Sequence, residues 1–426
     1  MELFSHTLAG RIAARKDALA AWFESTRERV RPPFTASVDL RDSGWKIVPV
    51  DTNVFPGGFN NLCSGDLDLA SGQFKAAVSR MLGEGVSTIG IVAESHTSNL
   101  PYFANLLSLQ KILQSAGFKV EVLSFAEELA RERTEVPVSG EKLELHRAHR
   151  SNSHLGSADV TPDLLVLNND LSAGVPEQLA QLDQPLVPAA NLGWWRRRKS
   201  THFAAYNQLA TEVADVLGID PWQLTTAFET ASGVDFATGE GLDAAAQGVD
   251  RICAASAAEH ESRGISDKPY AVVKSDAGTY GMAVMVADSG EELLQLNRKE
   301  RNRMSVSKGG RPVSEVIIQE GIPTVDEREG KASEPVFYLV GGEVIGGFFR
   351  LNAKKGPREN LNSRGMEFKQ ICYHSHMEGN PEGDAWRLSH ERVISYALVS
   401  QIAALAVGVE RAEYESEPAE LVAAPA

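Results

Sequence analysis

Residues Pro269 to Val286 read PYAVVKSDAGTYGMAVMV and constrain the fold more than any other stretch of the chain. A β-branched run from Tyr270 to Val273 ends in Lys274, a small polar loop holds Gly278 and Gly281, and apolar residues resume from Met282 to Val286. That pattern predicts a strand, a flexible glycine loop and a second strand, with a lysine at the mouth of the loop. Backbone N–H groups freed by glycine can close on phosphate oxygens, and a nearby ammonium adds a point charge. No Gly-Lys-Ser/Thr precedes a helix here, so a Walker loop is excluded. Taken alone, the segment is equally an ordinary glycine-containing β-hairpin.

The chain has 426 residues, enough for several domains with separate cores. Hydrophobic residues make up 43% and charged residues 23%, the balance of a globular protein in water. A net charge of −15 argues against nucleic acid as a partner, and the longest basic block is Arg196 to Lys199. Cys63, Cys253 and Cys372 are odd in number and far apart, so no disulfide framework is expected and a reducing, cytoplasmic setting fits. No signal-peptide pattern opens the chain and no run of about 18 apolar residues occurs, so no membrane association is expected.

Residues Leu3 to Val30 carry apolar residues at helical spacing, and Pro32 and Pro33 stop that helix. Strands are expected at Trp45–Val50, Val86–Ala93, Phe118–Leu123 and Asp163–Leu167, with a helix at Leu100–Ser115. Such alternation predicts a mostly parallel α/β sheet. The polar stretch Arg131 to Ser157 reads as a long loop or insertion, and Glu417 to Ala426 as a loose tail. Three strand tips run into polar residues: Asp51 and Asn53 before Phe55-Pro56-Gly57-Gly58-Phe59-Asn60-Asn61, then Glu94-Ser95-His96, then Asn168-Asn169-Asp170. Ligands bind beyond the carboxyl ends of strands in open sheets, so these tips either converge on a polar crevice or merely make turns.

The basic run Gly193 to Lys199 leads into a helix from near Ser200 to Leu217. Cations are poorly placed at a helix start, which favours a bound anion there, with a solvated charged turn as the alternative. A helix is expected at Ser289–Leu296, and a buried strand from Val316 ends in Gln319, Glu320 and Gly321. A hairpin of Pro335–Val340 and Glu343–Leu351 turns at Gly341-Gly342 and delivers Arg350 and Asn352 to one end. Lys354 to Gly365 follows, dense in cations and amides. Cys372-Tyr373-His374-Ser375-His376 lacks four zinc ligands at recognised spacing and reads as a local turn.

A lysine at a helix start, a lysine with a glycine hairpin, a strand ending Gln-Glu and a hairpin leading to Arg and Asn together resemble an ATP-grasp module. The strings PVDTNVFPGGFNNL, NLGWWRRRKSTHF, VVKSDAGTYGMAVM, IIQEGIPT and FFRLNAKKGPRENLNSRG further resemble the small proteobacterial family of glutamate–cysteine ligases, from about Phe34 to about Glu415. The resemblance implies an α/β fold: an N-terminal open parallel-sheet domain over 1–190, then a two-lobed ATP-grasp region over 191–316 and 317–426. It implies ATP-dependent joining of the glutamate γ-carboxylate to the cysteine amine through an acyl phosphate, with ATP and Mg2+ required. Glutamate, cysteine and ATP would be the small-molecule partners, and a homo-oligomer stays open. Lys199, Lys274, Gly278 and Gly281 would meet the phosphates. The backbone of Ile318 to Gly321 would read adenine, with Gln319 beside it and Glu320 on the ribose. Lys274, Arg350 and Arg364 would carry catalysis, and Asp51, Asn53, Asn60 and Asn61 would line an amino-acid pocket. No acidic-x-Asn pair follows Gly365, which leaves Glu359, Asn360 and Asn362 as metal ligands, with Glu334 a further candidate. Another ATP-grasp carboxylate–amine ligase, such as a glutathione synthetase, and a non-catalytic ATP-binding regulator are the alternatives.

Overall fold

The computed structural model describes residues 3–95, 99–126, 131–278, 282–306, 312–377 and 388–416. Its central sheet is antiparallel and draws on distant parts of the chain. Strands Thr35–Asp42 and Ile47–Asn53 form a hairpin, and the first of them pairs with Lys331–Val340. Glu343–Asn352 and then Met366–Ile371 extend the sheet. One face buries Val38, Leu40, Phe337, Leu339, Phe349 and Leu351 under the helices Lys199–Leu217 and His390–Ser416. The opposite face buries Val336, Tyr338, Val340 and Phe348. Side chains alternate across a strand, so that second face continues into Asp39, Arg41, Glu334 and Arg350. The strand expected at Trp45–Val50 is therefore real but belongs to this sheet and not to a parallel one. A strand pattern marks a strand without naming its partner: Ile47–Asn53 pairs with its neighbour Thr35–Asp42, whose own second partner lies almost 300 residues on (293 between Arg41 and Glu334).

A second sheet has the order Leu186–Val187, Leu164–Asn168, Thr88–Ala93, Lys119–Ser124, Glu141–Arg147, Arg133–Val138. It is parallel except for the last strand. The expected strands and the helix Leu100–Ser115 are present. The stretch Arg131–Ser157 is not a loop: it supplies the two outer strands and a small ribbon of His149–Ser151 with His154–Gly156. Leu143 and Leu145 alternate inward there, a period hidden among charged neighbours.

The third sheet holds Phe228–Ser232, Glu315–Glu320, Ala271–Ser275 and Val284–Ala287, all antiparallel, against the helix Leu242–Arg263. The glycine-loop hairpin forms with Lys274 opposite Val284. Residues 4 to 29 form two helices, Phe4–Ala14 and Lys16–Arg29, in place of one. Leu242–Arg263 and His390–Ser416 were not expected. The latter is apolar and long enough to cross a membrane (mean hydropathy 1.7), yet 83% of that window is buried within the fold, so it is a core helix. Cys372 follows the last strand of the central sheet and precedes a short helix Tyr373–Met377. It is joined to Cys63, with Cα atoms 5.2 Å apart across a separation of 309 residues; Cys253 is free. A single bridge forms where no disulfide framework was expected, because distance along the chain is not distance in the fold. The tail Glu417–Ala426 lies outside the described residues.

Candidate active site

A cleft of about 540 Å³ is lined by the central sheet, the third sheet and the segment 355–363. Its floor is the polar end of the central-sheet face. Asp39 stands opposite Asp51 across the hairpin, and Glu334 stands opposite Arg350. Arg350 Nη1 is 2.6 Å from Asp39 Oδ2 and 2.8 Å from Glu334 Oε1, while Arg41 Nε is 2.7 Å from Glu334 Oε2. The row alternates in charge, so each buried ion has a partner. Burial pushes the Asp39 carboxyl up, and Arg350 offsets this only in part. Burial alone would depress Arg350, but Asp39 and Glu334 hold it above its usual range. Arg350 was expected to face the reacting phosphoryl group. Instead it lies beneath the two acids and outside the cleft lining.

Two lysines meet above this floor. Lys199 opens the helix Lys199–Leu217, and its Nζ lies 2.5 Å from Asp51 Oδ1 and 4.3 Å from the Trp194 ring centre. Lys274 donates to Val50 O at 2.7 Å and sits 5.3 Å from the Phe203 ring centre. Burial would raise Asp51, but Lys199 and Lys274 together hold it below the usual carboxylate range. Lys274 is compensated only in part: burial, then the Lys199 charge, pull it down to about 7 against the opposing pull of Asp51 and Asp39. It is the ammonium in this cleft without a hydrogen-bonded carboxylate among the described residues.

The cations of the basic run before this helix meet partners within the chain. Arg197 is buried against Glu410, Arg198 pairs with Glu315, and Arg196 lies over the Tyr414 ring. The helix start is filled from within: Asp276 accepts from Ser200 N at 2.8 Å and from Ser200 Oγ at 2.7 Å. A carboxylate is the partner a helix N-terminus favours. Asp276 also ties the glycine loop to the helix that carries Lys199, because Lys199 N donates to Asp276 O at 2.8 Å. Gly278 lines the cleft at φ +125°, a conformation that strains any L side chain. Gly281 lies outside the described residues.

At the other end, Tyr270, Gln319, Glu320 and Ile322 line the cleft. Gln319 Nε2 donates to Thr226 Oγ1 at 3.0 Å, and Glu320 pairs with Lys46. Glu320 N and Gly321 N donate to Ala227 O and Tyr270 O, so neither N–H is open to a base, against expectation. Gly321 is required there, since a Cβ would stand 2.1 Å from the Tyr270 ring.

Glu359, Asn360 and Asn362 line the cleft as well. Arg41 holds their segment by donating to Pro357 O at 2.6 Å and Glu359 O at 2.8 Å. The Glu359 carboxylate, however, is occupied by Lys355 Nζ and Gly356 N, each at 2.8 Å. Asp39, Asp51 and Glu334 are likewise occupied by Arg350, Lys199 and Arg41. Among the described residues no three His, Cys, Asp or Glu side chains form a group that could hold a metal ion. The protein side chains present do not fit a resident divalent cation. Arg364 is exposed and outside the cleft lining.

The expected amino-acid pocket is divided. Asp51 lies in the cleft with the lysines, whereas Asn53, Asn60 and Asn61 are not among its lining residues. Asn60 is exposed and donates to Asn61 Oδ1 at 3.3 Å. One parallel-sheet tip and the helix Leu100–Ser115 anchor the Pro-Gly-Gly loop: Asn168 and Asn105 both donate to Pro56 O, and Phe59 N donates to Asn105 Oδ1. His96 lies outside the described residues. Asp39 and Arg41 are the functional candidates that sequence reasoning missed. Their signal is an acid and a base two apart in TASVDLRD, on the face opposite Ala36, Val38 and Leu40.

A family model described as GshA, glutamate-cysteine ligase, matches residues 10–411. The crystal structure of "Putative gamma-glutamylcysteine synthetase" from Methylobacillus flagellatus KT is 36% identical, covers 96% of each chain and superposes with a TM-score of 0.86. A glutathione synthetase-like effector from Globodera pallida is 10% identical, with a TM-score of 0.36 over 84% of this chain and 82% of that one. D-alanyl-alanine synthetase A from Vibrio cholerae is 12% identical, with a TM-score of 0.33 over 75% and 81%. These two likenesses are too weak to carry an argument. No curated protein sequence matches the chain. On the family match and the relative aligned over nearly its whole length, the chain belongs to the glutamate–cysteine ligase family, the ligases of the first step of glutathione synthesis.

Proposed function

We propose that the cleft binds ATP and glutamate and activates the glutamate γ-carboxylate as an acyl phosphate, which the amine of cysteine then attacks. One observation carries this reading: two buried lysines converge on a single carboxylate, and Lys274 is left with a backbone carbonyl as its hydrogen-bond partner. Buried charge without a partner is costly, and a phosphate oxygen would supply one. A carboxylate is a poor acyl donor because its oxygen would leave as oxide, and phosphorylation replaces that with a good leaving group. The protein's part is to position the reactants and to offset charge growing on the phosphoryl oxygens.

Lys199 and Lys274 supply that charge in this scheme. Asp51 keeps Lys199 in place, and the Asp39–Arg350–Glu334–Arg41 row holds the floor rigid. The triphosphate would lie toward Gly278 and the lysines, with the base toward Tyr270 and Ile322. Magnesium would arrive with the nucleotide. The reaction is proposed for the cytoplasm, although the Cys63–Cys372 bridge removes the cysteine argument for a reducing setting. The test is ADP formation with ATP, magnesium, glutamate and a panel of amines. ADP should appear with glutamate and cysteine together. Faster release with γ-glutamylcysteine plus glycine, or with another amino-acid pair, would replace this reading by another ligase, and binding of ATP without any ADP would replace it by a regulator.

A further inference from the structure

Lys46 lies between the two strands of the central hairpin, and its side chain is 1% exposed. An ammonium so far removed from water needs a charged partner. Its partner comes from a different sheet: Lys46 Nζ is 2.6 Å from Oε1 of Glu320, the last residue of strand Glu315–Glu320. The backbone N–H of Ala227 donates to the same Oε1 at 2.9 Å. Both donors fall on one oxygen. Oε2 takes no hydrogen bond from any described residue, and Glu320 lines the cleft beside Gln319 and Ile322. On its other side Lys46 is capped by Trp222, with Nζ 4.4 Å from the ring centre, and Arg263 also lies over that ring at 4.2 Å. The ammonium is thus held between an indole face and one carboxylate oxygen, with little freedom to move.

We infer that Lys46 is a positioning residue that pins Glu320 through Oε1, so that Oε2 presents a single acceptor to a ribose hydroxyl of the bound nucleotide. The inference rests on the reading of this cleft as the ATP site. Charge argues for a hydroxyl over a cation at Oε2. Lys46 already neutralises Glu320, so a neutral donor fits without adding net charge, while an ammonium or metal ion would find the negative charge spent. Register also agrees: Glu320 stands opposite Ala271, whereas Lys274, three residues along the same strand, stands opposite Ile317, so Glu320 and Lys274 face opposite ends of this strand pair.

The experiment is calorimetric titration of the full chain with ATP, 2′-deoxy-ATP and 3′-deoxy-ATP, in the wild type, Lys46→Met and Lys46→Arg. A hydrogen bond to a charged acceptor typically changes affinity by roughly 10- to 100-fold, so the wild type should bind one deoxy analogue that much more weakly than ATP. In Lys46→Met the preference should fall below about threefold, because an unpinned carboxylate no longer meets the hydroxyl in one geometry. Lys46→Arg, which keeps the charge, should restore part of it. A merely structural role would weaken all three ligands alike and leave the ratio intact. Equal binding of all three nucleotides by the wild type overturns the inference without any mutant. A wild-type ratio retained in Lys46→Met overturns the role of Lys46. Failure of the wild type to bind ATP at all would instead strike the reading of the cleft.

Discussion

Arg197 and Lys274 are both buried cations that donate to carbonyls of the same strand, Arg197 to Thr52 O and Lys274 to Val50 O. There the likeness ends. Arg197 also reaches Glu410 through Nε at 2.6 Å and Nη2 at 3.0 Å, and stacks 4.9 Å over Trp194. Burial alone would lower it, but Glu410 holds it above its usual range. Lys274 has no acid to itself, since Asp51 is taken by Lys199, and burial drags it down to about 7. A closed ion pair is architecture. A buried cation left open is a place for an anion that the chain itself does not provide.

The sharpest way to break this contrast is to remove each cation in turn. Arg197→Met would strand the buried Glu410 and should cost about 3–5 kcal/mol of folding stability in urea denaturation. A loss below about 1 kcal/mol would mean that the pair is not structural. Lys274→Ala should leave the urea midpoint unchanged or higher, while turnover falls by roughly 30- to 1,000-fold, the usual cost of about 2–4 kcal/mol for one lost contact to developing charge. Near-normal ADP formation in that variant would remove Lys274 from the mechanism.

Proton linkage sharpens the same point. Lys274 has a folded value of about 7, depressed from 10.5, so between these values the unfolded chain binds more protons than the free folded one. Stability from this group therefore rises with pH across that window and is lowest below about 7. Lys274→Met should abolish that rise. Conversely, ATP binding at pH 8 should take up as much as about one proton, because phosphate favours the charged ammonium. Titrations in buffers of different ionisation enthalpy measure this, and zero uptake would mean that no anion reaches Lys274. The smallest effect is expected at Asn60→Ala, with Michaelis constants for glutamate and cysteine within about twofold of wild type. A tenfold change in either would return the Pro-Gly-Gly loop to the substrate site.

Local patterns were legible in the sequence where a few neighbouring residues decide the outcome. The glycine hairpin, the strand ending Gln319-Glu320 and the Lys331–Asn352 hairpin all stand where apolar runs and glycines put them. Lys199, Lys274, Gly278, Glu320, Asp51, Glu359, Asn360 and Asn362 do come together at one cleft. What could not be read was pairing between distant segments. Nothing in TASVDLRD names Glu334 and Arg350 as partners of Arg41 and Asp39, so the floor went unnoticed and Arg350 was expected in the cleft lining instead of beneath it. Local polarity misled in the same way at Gly193 to Lys199. Its cations answer acids at Glu410, Glu315 and Asp51, far away in sequence.

The central sheet also has a consequence in time. Arg41 and Glu334 are 293 residues apart, and the strand that carries Arg41 has its partner at Lys331–Val340. On a ribosome adding about 5–20 residues per second, the first hairpin emerges roughly a quarter of a minute to a minute before that partner exists. Through that interval it offers an unpaired, apolar edge, the kind of surface that aggregates. The parallel sheet, complete by Val187, has all its strands long before then. Synthesis from the N-terminus therefore completes the strands of the parallel sheet first and the floor of the cleft last, and a chain interrupted before Val340 would carry the waiting hairpin with nothing to pair it.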